Sequence, residues 1–284
     1  MCPGDDLVTE PTRAIRKPHP TCDAAAPEPH ALAITVAYRG AGFAGFARQP
    51  GQRTVQGCLE NALGIIVRRE IDIAVAGRTD AGVHALGQVV SFAATGCEPG
   101  DAALMRSLNA LAGEGIAVRG LRRARAGFSA RFDAVSREYR YRIATGTVPP
   151  LFLGDVAWWT RGLDVEAMRE GAAHLAGEHD FRSFCVTDSA VGKRTFRRVD
   201  EIEVYEEEQL GERHIVVRVV GNAFLHSMVR VIVGTLVEVG AGRRDPSWVA
   251  DALAACQRSA AGQTAPALGL TLWKVEYPDE VWLP

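Results

Sequence analysis

One short stretch of the chain concentrates side chains that can act as acids, bases or anion ligands. They are Arg78, Thr79, Asp80 and His84. An ionised carboxylate can act as a nucleophile or as a base, and the Arg78 guanidinium beside Asp80 favours the ionised form. The alternative interpretation is structural: Asp80 accepts backbone N–H bonds in a turn or caps a short helix, and His84 packs against it.

The flanking sequence predicts that this stretch is a long loop between two strands. Residues 71–76 and 89–93 are apolar and partly β-branched, which is typical of β-strands. The eleven residues 77–87 between them exceed the roughly two to five residues of an ordinary hairpin loop. Loops of this length are usually kept for binding or catalysis, and Gly77, Gly82 and Gly87 would allow sharp turns or close approach to a ligand.

The composition is that of a globular protein with one large or two medium domains. The chain has 284 residues, of which 47% are hydrophobic, and its mean hydropathy is −0.01. No apolar run approaches the about eighteen residues that span a bilayer, and the N-terminus has no basic segment followed by an apolar core. The six cysteines form no CxxC pair and no Cys/His cluster with zinc spacing. We therefore expect a cytoplasmic protein with reduced thiols, no metal site and no membrane partner.

The charge is unevenly distributed although the net charge is only −2. Residues 119–142 contain eight arginines against two acidic residues, and a second basic cluster occupies residues 193–198. Such an arginine stripe could neutralise a nucleic-acid backbone. A general compositional bias towards arginine would produce the same pattern.

The order of the predicted elements suggests two similar halves after a tail. Residues 1–30 are rich in proline and poor in large apolar residues, which predicts a disordered tail. The pattern in residues 31–135 is β-α-β-β-α-β, the ferredoxin-like or RRM-like arrangement, with helices opened by Thr54 and Pro99. Residues 136–284 repeat it, with Asp164 as a helix N-cap. We predict an α/β (α+β) fold of two such domains with mixed, mainly antiparallel sheets and a central active-site cleft.

A literal GxGxxG at residues 40–45 follows the first predicted strand, with Glu60 twenty residues beyond Gly40. The dinucleotide fingerprint requires its last glycine to open a helix. Here the predicted helix begins only at Thr54, so we interpret the motif as a glycine-rich loop. An oxidoreductase remains the alternative.

The apolar helix predicted for residues 224–240 carries two polar side chains one turn apart, His226 and Arg230. A buried arginine needs a partner, and Asp80 across the cleft is the candidate. The alternative is that its stem packs while its head reaches solvent. We interpret His226 as a structural histidine, and His174 and His179 likewise.

These motifs resemble the tRNA pseudouridine synthase A family. The resemblance starts from Gly-Arg-Thr-Asp-Ala-Gly-Val-His-Ala at residues 77–85 and continues in collinear blocks from about residue 34 to residue 277. The further blocks are residues 54–60, 87–89, 108–109, 128–132, 137–141, 177–181, 222–230, 234–240 and 265–270.

The resemblance implies an isomerase that converts uridine to pseudouridine at positions 38, 39 and 40 of the tRNA anticodon stem-loop. It implies Asp80 as the catalytic carboxylate, Tyr139 stacked on the uracil, and Arg230 holding Asp80 ionised. Further implied contacts with the substrate come from Arg78, in the space left by the flipped base, and from Leu270 below the flipped ring. The arginine stripe, with Arg131 and Arg137, would grip tRNA phosphates. The family works without a cofactor and as a homodimer.

Some residues depart from the family pattern. Residues 43–49 replace an aromatic-rich loop that ends in Gly-Trp-Gln, and Ser227 and Val231 replace a histidine and an asparagine. These departures bear on contacts with tRNA and on target breadth. A non-catalytic RNA-binding protein is the second alternative.

Overall fold

The computed structural model describes residues 30–187 and 191–284. The predicted disordered tail lies outside the described residues, apart from His30, which begins the first strand. No helix in these two ranges is both long enough and apolar enough to cross a membrane.

The described residues form ten strands and five α-helices. The strands are β1 (His30–Tyr38), β2 (Ala74–Val75), β3 (His84–Ala93), β4 (Ile116–Arg125), β5 (Ser136–Ala144), β6 (Trp158–Trp159), β7 (Gly177–Asp180), β8 (Phe196–Gln209), β9 (Glu212–Gly221) and β10 (Leu270–Glu276). The helices are α1 (Val55–Val67), α2 (Asp101–Leu111), α3 (Val165–Ala173), α4 (Met228–Gly240) and α5 (Trp248–Ala255).

Two of the predicted helix starts are confirmed by their caps. The Thr54 side chain accepts a hydrogen bond from the Gly57 N–H, and the Asp164 side chain accepts bonds from the N–H groups of Glu166 and Ala167. Helix α4 is shorter than predicted. It begins at Met228 because Ser227 has φ 59°, in the left-handed region, which the helix cannot continue through.

The strands form a single mixed sheet in the order β4-β1-β3-β10-β5-β9-β8-β7. Most neighbours are antiparallel, whereas β10 runs parallel to β3. The predicted mixed, mainly antiparallel α/β fold is confirmed, but the two halves share one continuous sheet instead of forming one sheet each. The domain boundary at residue 136 stays a prediction.

The last strand of the chain joins the two halves. Each half has the strand order of a ferredoxin-like unit: β4-β1-β3 with β2, and then β10-β5-β9-β8. Strand β10 therefore belongs to the second unit, yet it also pairs with β3 of the first. This pairing places β10 at the centre of the sheet.

Along one of its edges, strand β3 pairs first with β10 and then with β2. The polar loop leaves the sheet between these two partners. Val90 and Ser91 pair with β2, whereas His84 and Ala85 pair with β10. Residues 76–83 connect β2 to β3 and emerge between these two pairings. The loop is shorter than the predicted residues 77–87, because pairing with β1 and β10 extends β3 back to His84.

The main hydrophobic core packs the helices against the sheet. Helix α4 is buried on nearly every side, from Met228 to Gly240. A smaller cluster lies around Phe128, Ala130 and Val281. It fixes the segment between β4 and β5, together with the chain end.

The GxGxxG segment braces the polar loop and does not open a long helix. Gly40–Gly42 forms a single 3₁₀ turn, and the next helix starts ten residues after Gly45, at Val55. A Cβ on Gly40 would lie 2.2 Å from the Val83 carbonyl oxygen. Gly40 therefore meets a packing requirement, and the geometry does not support the dinucleotide interpretation.

Substituting Gly40 tests this packing role. Gly40→Ala should lower the free energy of unfolding by about 1 to 3 kcal/mol, because the Val83 backbone must move to admit the methyl group. Gly42→Ala is the matched control, since its Cβ would meet only the mobile end of Arg53 at 3.3 Å. Urea unfolding measures both variants. Equal midpoints for the two would contradict the packing role.

Candidate active site

Asp80 is on the loop of the first half, and its carboxylate faces the start of helix α4 in the second half. Its Oδ2 accepts a hydrogen bond from Arg230 Nη1 at 3.0 Å and another from Ser227 Oγ at 2.8 Å. The Asp80 side chain is 25% exposed and that of Arg230 is 18% exposed. A charge-assisted hydrogen bond between partly buried side chains is stronger than an ion pair on the surface. The predicted contact between Arg230 and Asp80 is present.

Arg230 is itself held in place. Its Nε donates to the Ala265 carbonyl at 2.8 Å, and the Ala265 N–H donates to the Arg230 carbonyl at 3.1 Å. The segment that leads into β10 therefore fixes the guanidinium from behind. As a result, one carboxylate oxygen of Asp80 is bound by donors with defined positions.

His226 contacts the other carboxylate oxygen, which the sequence interpretation missed. Its Nε2 lies 3.2 Å from Asp80 Oδ1, and its side chain is 52% exposed. The interpretation of His226 as a structural histidine did not foresee this contact. His226 lies in the turn before α4, which begins at Met228, so helical spacing from Arg230 does not explain the contact.

A buried polar network holds the loop from below. Gln88 Nε2 donates to the Gly77 carbonyl at 2.7 Å and to Tyr38 Oη at 3.2 Å. Tyr38 Oη lies 2.7 Å from Thr79 Oγ1. Because the Tyr38 hydroxyl oxygen accepts a hydrogen bond from Gln88, its own O–H can donate to Thr79 Oγ1. The backbone is thus pinned on both sides of Arg78, whose side chain is exposed.

Tyr139 lies beside the start of this loop. A Cβ on Gly77 would be 3.4 Å from the Tyr139 hydroxyl oxygen, and the Tyr139 ring makes an edge contact with Phe224. Burial raises the pKa of Tyr139 well above its ordinary value, and the nearby Tyr38 adds to that rise. The phenol therefore stays protonated and can donate a hydrogen bond or offer its ring.

Leu270 is buried at the start of β10 and pairs with Tyr141 on β5. The Tyr141 hydroxyl donates to the Pro266 carbonyl at 2.8 Å. Leu270 thus lies at the centre of the sheet, and its partner Tyr141 is two residues from Tyr139 along β5.

Arg137 is buried and bound to the backbone. Its guanidinium donates to the carbonyl oxygens of Ala76, Arg131, Ala134 and Asn222, at 2.6 to 3.3 Å. These bonds tie the start of the loop to the segments before β5 and before α4. Arg131, in contrast, is exposed, and its guanidinium lies 5.2 Å from the Phe132 ring centroid.

Much of the arginine stripe is engaged within the fold. Arg123, Arg125, Arg140 and Arg142 form ion pairs with carboxylates, and Arg122 stacks on Trp282. Their charge is therefore partly neutralised already. The free positive charge near the cleft is smaller than the count of arginines in the sequence suggests.

Comparison with known proteins gives a consistent result. A family model described as tRNA pseudouridine synthase matches residues 34–124 and 172–278. A tRNA pseudouridine synthase A of Brevibacillus brevis is 44% identical over 247 residues, covering 87% of this chain and 99% of that protein. Proteins of the same name from Frankia casuarinae and Bacillus subtilis are 44% and 42% identical, covering 88% and 87% of this chain and 90% and 99% of their own lengths.

These matches define an isomerase that forms pseudouridine in tRNA. The chain belongs to the tRNA pseudouridine synthase family.

The buried tyrosines predict a loss of stability in alkali. Burial raises the pKa of Tyr38 from 10.0 to about 12, and burial also raises the pKa of Tyr139 and Tyr141. The unfolded chain ionises these groups near pH 10 while the folded chain does not. Their contribution to stability is therefore complete below pH 10 and is lost as the pH rises towards about 12.

Urea unfolding at increasing pH, with tyrosinate absorbance recorded in parallel, measures this loss. Tyr38→Phe should reduce the pH dependence. Tyrosinate absorbance that reached its full value near pH 10 in the folded protein would contradict the prediction.

Proposed function

We propose that this enzyme isomerises uridine to pseudouridine at positions 38, 39 and 40 of the tRNA anticodon stem-loop, with Asp80 as the catalytic carboxylate. The single observation that carries the assignment to Asp80 is its geometry. It is a partly exposed carboxylate where the two halves meet, bound through Oδ2 by Arg230 and Ser227.

The reaction sets three requirements for a site. The C1′–N1 bond must break, the uracil must turn while it is held, and C5 must bond to C1′ before C5 loses its proton. Reactant and product are isomers, so the overall reaction needs no oxidant or reductant. The site therefore needs three kinds of group: a nucleophile or base, a surface that holds the ring, and a fixed positive charge.

Asp80 and its partners meet the first and third requirements. Arg230 holds the Asp80 carboxylate in position through Oδ2 and places a fixed cation beside the reacting group. Two donors already occupy Oδ2. We therefore assign the reacting position to Oδ1, from which the half-exposed His226 ring can move away when substrate enters.

Tyr139 and Leu270 meet the second requirement. We assign the Tyr139 ring to the face of the uracil and Leu270 to the apolar floor below it. Because burial keeps Tyr139 protonated, its hydroxyl acts as a hydrogen-bond donor or a relay and not as a phenolate base.

The arginines divide into two roles. We assign the exposed Arg78 to the gap that the flipped base leaves in the stem, and the exposed Arg131 to RNA phosphate. For Arg137 we propose a positioning role in place of substrate contact, since its donors are bound to backbone carbonyls. We also propose a cytoplasmic homodimer, as the family resemblance implies, which sedimentation of the purified protein would test.

Removing the Asp80 carboxylate should abolish the reaction and spare binding. We expect Asp80→Ala and Asp80→Asn to form no pseudouridine in unmodified tRNA while the Kd for tRNA stays within about threefold of wild type, a shift of about 0.6 kcal/mol. Chemical probing for pseudouridine and filter binding measure the two quantities. Asp251→Asn is the control, since Asp251 is an exposed carboxylate on helix α5. Pseudouridine formation by Asp80→Ala would refute the assignment.

Replacing Arg230 should lower kcat more than it raises KM. Losing a hydrogen bond to a charged group costs about 1.5 to 3 kcal/mol, so Arg230→Met should lower kcat about 10- to 100-fold. His226→Gln keeps a donor near Oδ1 and should have a smaller effect. Single-turnover kinetics on a stem-loop substrate separate kcat from KM. Wild-type kcat in Arg230→Met would show that Asp80 does not need this partner.

A further inference from the structure

Phe132 is a large aromatic side chain that the fold leaves in solvent. Its side chain is 80% exposed, whereas Phe128, four residues earlier, is buried at 6%. Single exposed apolar residues are common on protein surfaces. What sets Phe132 apart is how its turn is held and where that turn lies.

The turn that carries Phe132 is firmly fixed. The Asp133 carboxylate accepts bonds from the Ser129 N–H and from Arg125, both at 2.7 Å, and the Asp133 N–H donates to the Ser129 carbonyl at 3.1 Å. These bonds close the turn around Phe132. The backbone that carries the ring is therefore held in place by these bonds.

A second set of bonds fixes the same turn to the sheet. The Ala130 N–H donates to Ser91 Oγ on β3 at 2.8 Å, and the Tyr277 hydroxyl donates to the Ala130 carbonyl at 2.7 Å. The buried Phe128 ring packs against Tyr277 and Trp282. The exposed position of Phe132 is thus imposed by a rigid support.

Arg137 places this turn beside the catalytic loop. The same guanidinium nitrogen, Nη2, donates to the carbonyl oxygens of Arg131 and Ala76, at 2.8 and 3.1 Å. Ala76 directly precedes Gly77 and the exposed Arg78. The Phe132 turn is therefore linked through one side chain to the start of the loop that carries Asp80. The exposed Arg131 lies beside the Phe132 ring, with its guanidinium 5.2 Å from the ring centroid.

We propose that Phe132 and Arg131 form a stacking platform for an unpaired RNA base next to the target uridine. The inference rests on the proposed function. When the target base is flipped out, its neighbour in the strand loses a stacking partner, and an aromatic ring can replace that partner whatever the base. The Arg131 guanidinium supplies the charge that the adjacent phosphate requires.

Variants at Phe132 separate stacking from simple apolar contact. Removing one base–aromatic stack should raise the Kd and KM for an unmodified stem-loop about 10-fold in Phe132→Ala and Phe132→Leu, with kcat nearly unchanged. Phe132→Trp should bind as wild type or more tightly. Phe152→Ala is the matched control, because Phe152 is also exposed, at 68%, on a turn held by Glu212 near the opposite end of β5 from Phe132.

An RNA substrate that lacks one base tests the contact directly. Stem-loops with an abasic site on either side of the target are compared with the intact RNA, for wild type and Phe132→Ala. At one of the two positions the abasic change should weaken wild-type binding about 10-fold and should weaken Phe132→Ala no further. Independent, additive losses at both positions would overturn the platform.

Other outcomes also decide the question. Unchanged Kd in Phe132→Ala, or an equal loss in Phe152→Ala, would overturn the inference. So would a change in sedimentation of Phe132→Ala at unchanged Kd, since the ring would then contact protein. Failure of the proposed function is distinguishable, because wild type itself would then form no pseudouridine, while the Kd comparison would still judge the platform.

Discussion

The ion pair between Asp80 and Arg230 is the interaction on which the arrangement of the site depends. Its two members are 150 residues apart and come from different halves of the chain. At 3.0 Å the pair tolerates little relative movement, because a charge-assisted hydrogen bond weakens steeply with distance and angle. The two halves must therefore be held in a fixed relative position. A flexible linker between separate domains would not hold them so.

Strand β10 fixes the relative position of the two halves. It pairs with β3 of the first half and β5 of the second, so it fixes the loop of Asp80 and the strand of Tyr139 to the same backbone. The segment before it also binds Arg230 through Ala265. Because β10 pairs with both halves, the site is complete only when this strand has docked between β3 and β5. The same insertion limits β2 to two residues and opens the gap from which the loop emerges.

The sequence predicted the parts of this structure that depend on local chemistry. The caps at Thr54 and Asp164, the strand and helix order, and the pairing of Arg230 with Asp80 all follow from residue type and spacing. The central place of β10 does not, since seven residues of suitable pattern do not specify which strand edges they join. Arg137 shows a second limit. A charged residue in a basic stripe suggests substrate contact, and only the structure shows that the Arg137 guanidinium is buried and bound to backbone carbonyls.

The fate of the other arginines bears on how the enzyme selects RNA. Four members of the stripe are paired with carboxylates, and the chain carries a net charge of −2, so non-specific attraction to a polyanion is modest. Recognition must then depend on a few exposed groups with fixed positions, such as Arg78 on its pinned loop. The proposed role of Arg78 gives the buried hydrogen bonds of Gln88 and Tyr38 a part in selectivity, because they fix the backbone that carries this guanidinium.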